Sequence, residues 1–200
     1  MLIQGGTMAE KNRKRSDILS SARDLFREKG FHNTKMDDIA QAAGVGKGTL
    51  YEYFKNKQEI FDETCVEYVE SIFGRIEEVS FMNVSFREKI LILFNERKNT
   101  FNEEIDKNPI DYIMSYKNII SEKILKSMFE HILEINKILV EIVDQGKSEG
   151  VVRKDIPSDT IVCSIVGTMG EYFNLKMYKK DYTVSEDIIF NLLFNGFGVK

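Results

Sequence analysis

Between Thr34 and Lys57 the chain runs TKMDDIAQAAGVGKGTLYEYFKNK, and its polar and aromatic residues are of the kinds that grip phosphates and touch base edges. Lys47 stands at the start of a predicted helix, where a cation and free backbone amides both meet phosphate. Gly48 lets that helix bring its backbone close to DNA. Thr49 offers a hydroxyl and a methyl to base edges or phosphate. Tyr51 and Tyr53 carry hydroxyls that reach phosphates and rings that lie against a thymine methyl. The alternative for Tyr53 is packing against the first helix of the chain. Thr34 and Lys35 open the preceding helix, the one expected to cross the DNA backbone.

The elements that must position these groups are short. Thr34, with Asp37 three residues on, has the pattern of a capping box. Ile39, Ala40 and Ala43 then give a narrow apolar face at helical spacing. Gly44 supplies the stop, because glycine enters the left-handed region without steric cost. A second helix over about Lys47–Phe54 turns Leu50 and Phe54 inward at i, i+4. Two helices about a glycine turn, the second with a polar and aromatic outer face, predict a helix-turn-helix over about 35–54.

The run GVGKGTLYEYFKNKQEIF, and the approach ILSSARDLFREKGFHNTKMDDIAQAAGV, closely resemble the DNA-binding domain of TetR-type transcriptional repressors over about 13–68. The resemblance implies an all-α homodimer of about nine helices. A three-helix helix-turn-helix reader (12–72, after a flexible tail at 1–11) precedes a larger ligand-binding and dimerisation domain (73–200). It implies a double-stranded, palindromic operator and a small-molecule effector, not yet identified, that changes the spacing of the two reading heads. Lys57 resembles the family's phosphate contact. Two residues depart from the family pattern. Gly46 replaces the usual Ser or Thr cap, at a cost of about a few tenths of a kcal/mol. Glu52 stands where a neutral or basic residue is common; its carboxylate repels phosphates unless it accepts from a cytosine N4 or turns away. The leading reading is a repressor released by its effector; the alternative is an activator or a ligand-independent DNA-binding protein of the same fold, since repression depends on where the operator lies.

Outside the reader, Ile18, Leu19, Ala22, Leu25 and Phe26 predict a first helix over about 14–29, with a basic arm at Lys11, Arg13, Lys14 and Arg15. That arm either attracts DNA or is merely solvated. Asn56 and Glu59 cap a fourth helix, expected to link reader and body. Ser85 with Glu88, Asn108 before Pro109, and Thr183 with Glu186 mark further starts. A long helix is expected over about 122–147, ended by Gly146 and Gly150. Candidate effector contacts are Phe94, Phe101, Tyr112, Tyr116, Met128, Phe129, His131, Met169 and Phe173, a set suited to a flat or greasy molecule; the same residue types also build plain cores. The last two helices, about 158–179 and 185–197, are apolar on more than one face, which predicts a symmetric interface with a second copy. Its candidate residues are Ile161, Ile165, Gly167, Tyr172, Ile189, Leu193 and Phe197. The alternative is that both faces pack inside one subunit.

Composition bounds the rest. The 200 residues are 42% hydrophobic with two prolines, enough for a sizeable core and little linker. Net charge is −4, yet residues 1–60 hold 11 Lys/Arg against 8 Asp/Glu and the remainder 17 against 24. A basic end on an acidic body suits DNA. Cys65 and Cys163 sit in apolar runs without a basic neighbour to activate them and read as buried thiols. No run approaches the roughly 18 apolar residues of a membrane span, and no signal peptide precedes Met8, which has the look of a natural start; the expected location is the cytoplasm. His131 and Glu134 lie at a metal-sharing spacing, but one such pair is too little for a site, and neither metal nor cofactor is expected. With two histidines, no phosphate-cradling loop and no nucleophile elbow, an enzyme is the weaker reading.

Overall fold

The computed structural model describes residues 7–103, 116–179 and 181–198. Eight helices lie among them: α1 (Met8–Lys29), α2 (Met36–Ala42), α3 (Lys47–Tyr53), α4 (Lys57–Phe81), α5 (Phe86–Glu103), α6 (Glu122–Ser148), α7 (Ser158–Tyr178) and α8 (Glu186–Phe197). A lone antiparallel bridge joins Val152 to Gly198. The chain is all-α, as its periodicities predict. The short helix expected after Pro109, with Tyr112, lies outside the described residues, as do the side chains of Phe101 and Phe197.

Helix boundaries follow local chemistry. α1 starts at Met8 rather than near residue 14, because Thr7 and Glu10 form a capping box: the Glu10 amide donates to the Thr7 hydroxyl, and Glu10 Oε2 accepts from the Thr7 amide at 2.8 Å. The Glu59 amide donates to Asn56 Oδ1 at 2.9 Å, the cap expected for α4. Ser85 and Glu88 box the start of α5, and the paired hydroxyl and amide hold the Glu88 carboxyl below the usual range. The expected Thr183–Glu186 box is replaced. α8 is capped from Ser185, and the Glu186 carboxylate lies between Lys98 and Lys176, at 2.9 and 3.5 Å. Gly146 does not end α6. The helix continues to Ser148, and Gly146 is buried where a Cβ would strike Phe86 and Val152 at 2.6 and 2.7 Å. It is a point of close approach, and the turn comes at Gly150.

The chain divides into two compact units. One holds Met1–Val69 together with Ser115–Met128; the other holds Glu70–Met114 and Phe129–Lys200. In the first, α1 packs on α2 and on the first half of α4 around Ile18, Leu19, Phe26, Ile39, Leu50, Ile60 and Phe61, all 4% exposed or less. Arg23 pairs with Glu67 at 2.8 Å across α1 and α4. The remote segment joins this unit through α4. The buried Asp62 carboxylate accepts from the Ser121 amide at 3.1 Å and from Gln58 Nε2 at 2.9 Å, while Gln58 also donates to the Ile119 carbonyl at 2.6 Å. Asp62 thereby stands at the N-terminus of α6, where unpaired amides and the helix dipole favour a negative charge. The Tyr116 ring meets Phe61 edge-on at 5.3 Å, and burial pushes its phenol pKa up, with a smaller push from Cys65.

The second unit is centred on Phe94, which meets Tyr172, Phe173 and Phe190 at 4.8–5.6 Å between ring centroids. Phe86, Ile90, Ile142, Val143, Val152 and Val162 complete its core.

Asp62 gives a test of the first unit. Asp62→Ala leaves the Ser121 amide and the Gln58 side chain short of an acceptor in a buried place, a loss of about 1–3 kcal/mol. Urea unfolding of the full chain should show a lower midpoint for Asp62→Ala; an unchanged midpoint would mean that residues 115–128 do not brace the reader.

Candidate nucleic-acid interface

α3 is held from beneath and left bare above. Leu50 and Phe54 are 0% and 1% exposed, one turn apart on its inner face. The approach from α2 turns at Gly44, at φ 64°, and the Val45 amide donates to the Ala40 carbonyl at 2.9 Å. Phe54 is covered by the Arg15 guanidinium, 4.8 Å from the ring centroid, and Arg15 is ion-paired with Glu63 of α4. One member of the expected basic arm is therefore a brace between α1, α3 and α4. Sequence reasoning missed this, because nothing local links Arg15 to residues about 40 and 50 positions on.

On the outer side, Lys47, Gly48, Tyr51 and Glu52 are exposed, with Thr49 and Tyr53 half-buried beside them. Tyr51 is 53% exposed. Lys47 Nζ sits 2.5 Å from Asp37 Oδ2 of α2, and the hydrogen bond to that carboxylate raises the lysine pKa above its usual value. Lys47 is thus charged throughout the neutral range, with its charge shared. Lys35 is exposed and forms the cap of α2, its amide donating to Asp38 Oδ2 at 3.1 Å.

Two candidates face inward instead. Thr34 neither caps α2 nor reaches the surface. It is 1% exposed, and its hydroxyl lies 2.9 Å from the Gly30 carbonyl, closing the end of α1. Lys57 was expected at phosphate, but its ammonium donates to the carbonyls of Phe31, Thr34 and His32 at 2.5, 2.7 and 3.4 Å, and lies 4.3 Å from the Phe31 ring centroid. An ammonium has three donors, so these carbonyls occupy them all.

The sequence profile of the bacterial regulatory proteins of the tetR family matches residues 18–64, the stretch that builds α1 to the start of α4. A TetR/AcrR-family regulator from Thermobifida fusca superposes with a TM-score of 0.70 at 25% identity, over 92% of this chain and 98% of that one. Residues 18–64 thus form a DNA-binding domain of the tetR-family type. The chain is a transcriptional regulator and not an enzyme. The transcriptional repressor KstR2 of Mycolicibacterium smegmatis is 25% identical over 173 residues, 86% of this chain and 83% of that protein. The fold is shared with FadR of Bacillus subtilis, solved in complex with stearoyl-CoA, at a TM-score of 0.64 and 23% identity over 90% and 95% of the two chains.

The remaining candidates divide between the units. Tyr116 and Met128 belong to the first; Phe94, Phe129, His131, Met169 and Phe173 belong to the second. Within the second, Phe94 and Phe173 lie in the core with Met169 against it. Phe129 is 40% exposed, and His131 meets Phe73 edge-on at 6.2 Å. Two open clefts, of about 340 and 320 Å³, lie beside Tyr172, Lys176 and Glu186, and along Thr160, Ser164 and Leu192; no candidate effector contact lines either. The expected dimer residues need correction. Ile161, Ile165, Tyr172, Ile189 and Leu193 are buried within the subunit and Gly167 is exposed, while the Phe197 side chain lies outside the described residues. Outward-facing apolar residues lie one step round each helix, Val166 on α7 and Ile188 and Leu192 on α8, the last two 57% and 65% exposed; Cys163 of α7, expected as a buried thiol, is exposed as well. Both stripes are apolar, so sequence could not say which was inner. Among the described residues no group of His, Cys, Asp and Glu could hold a metal, and no helix is long and apolar enough to cross a membrane.

The shared charge of Lys47 has a measurable consequence. Asp37→Asn frees the ammonium for phosphate. Binding to arbitrary duplex DNA should tighten, and the slope of log K against log salt should steepen by about one released counterion. An unchanged slope would mean that Lys47 does not reach phosphate.

Proposed function

We propose that the chain is a homodimeric cytoplasmic repressor that binds a palindromic operator through α3 and lets go when a small, apolar or aromatic molecule binds its second unit. The observation that carries this reading is α3 itself, anchored by Leu50 and Phe54 and presenting Lys47, Gly48, Thr49, Tyr51 and Tyr53 outward or at the edge of its free face. Lys35 belongs to the same surface. Two such helices related by a two-fold axis meet half-sites about 34–36 Å apart, which favours a palindrome.

The dimer is proposed to form through α7 and α8 by their outer stripe of Val166, Gly167, Ile188 and Leu192. Exposed isoleucine and leucine one turn apart on α8, with an exposed valine and glycine on α7, suit helix packing across a two-fold axis. For the effector, the aromatic and methionine residues Phe94, Met169 and Phe173 favour an apolar body, and the relative FadR holds a long-chain acyl thioester. α4 contributes residues to both units, which supports it as the carrier of the signal.

Two experiments test this. Lys47→Ala combined with Tyr51→Ala should abolish binding to operator DNA while sedimentation still reports a dimer; retained binding with the same salt dependence would remove α3 as the reader. Leu192→Glu should give a folded monomer, since the residue is exposed in the subunit, and DNA affinity should fall at least about tenfold as the paired half-sites are lost. A folded Leu192→Glu dimer would place the interface elsewhere.

A further inference from the structure

A helix turns about 100° per residue, so Gly48 and Glu52 lie about 160° from Leu50, on the crest of α3. Leu50 is completely buried, which points that crest directly away from the body of the reader. Gly48 brings no side chain, and a Cβ built there meets nothing within 4 Å. The crest therefore carries one side chain, that of Glu52. It is exposed and makes no hydrogen bond or ion pair among the described residues, whereas nearby acidic groups are engaged: Asp37 with Lys47, Asp38 with the Lys35 amide, Glu59 with the Lys55 amide.

We propose that Glu52 is a specificity-determining residue, its carboxylate accepting a hydrogen bond from the N4 amino group of a cytosine in the major groove at one position of each half-site. This rests on the reading of α3 as the recognition helix. A seven-residue helix is about 10 Å long, short enough to lie within a groove about 12 Å wide, so its crest faces the groove floor. An ionised carboxylate only accepts. Guanine presents two acceptors there and thymine an acceptor and a methyl, and both repel it or leave it unpaired. Adenine offers its amino group beside the N7 acceptor. Cytosine's own edge offers a donor and no acceptor, the neighbouring O6 belonging to its paired guanine. Among phosphates, an unpaired carboxylate is a penalty on every other sequence, so Glu52 discriminates by what it rejects as much as by what it holds.

The test is selection of bound sequences from a random duplex pool at fixed moderate salt, with the wild-type chain, Glu52→Ala and Glu52→Gln; the site is exposed, so both variants should fold. The wild type should fix a cytosine at one position per half-site, and its replacement by thymine should weaken binding about tenfold. Glu52→Ala should level that position alone. Glu52→Gln should move the preference to adenine, which a carboxamide pairs through N6 and N7. Two outcomes overturn the proposal: a palindrome whose every preference is the same in all three proteins, or tighter binding of both variants to all sequences with a steeper salt slope, which would make Glu52 a simple repulsive charge. If the wild type selects nothing and Lys47→Ala with Tyr51→Ala binds duplex as well as wild type, the recognition-helix reading itself falls, and this assignment with it.

Discussion

The reader is closed by one half-buried cation. Lys57 opens α4, and its ammonium collects the carbonyls left over where α1 ends and α2 begins, at Phe31, His32 and Thr34. Charge-assisted hydrogen bonds in a half-buried place contribute about 1.5–3 kcal/mol each. They answer a need of the connection between the two helices, whose carbonyls lie outside any helix and must find donors elsewhere. The consequence reaches α3. With the α1–α2 turn tied to α4, the chain from Met36 to Phe54 is a loop fastened at both ends, and Leu50, Phe54 and the Arg15 guanidinium settle the one helix in its middle.

That fastening explains the division of labour on the surface. Groups that brace the reader, Arg15, Thr34 and Lys57, spend their donors inward. On α2 and α3 the exposed charges nearly cancel, Lys35 and Lys47 against Asp37 and Glu52, while Lys11, Arg13 and Lys14 of α1 are exposed as well. From α2 and α3 alone counterion release is modest, and base contact carries more of the recognition there.

Much of this was legible in the sequence because it is local. The glycine turn at Gly44, the i, i+4 pair Leu50 and Phe54, and the cap at Asn56 all lie within a few residues of what they control. Other features were not, for identifiable reasons. Lys57 and Lys47 look alike as exposed cations; what turns one inward is three carbonyls more than 20 residues earlier. The inner and outer stripes of α7 and α8 are both apolar, and only the packing of Phe94 against Tyr172 and Phe173 tells which is core. Residues 115–128 join the reader through Asp62 and Gln58, polar side chains whose partners about 60 positions away leave no periodic signal. The α1 cap at Thr7 and Glu10 is local and readable, but it lies inside residues 1–11, where a flexible tail is expected.

Amide hydrogen exchange of Lys57→Met against the wild type tests the inward lysine most directly. The account predicts that amides across Met36–Tyr53 lose protection by at least about tenfold while those of the second unit are unchanged, because the loop has lost its fastening. Unchanged protection across that stretch, together with weakened DNA binding, would contradict it and return the Lys57 ammonium to phosphate.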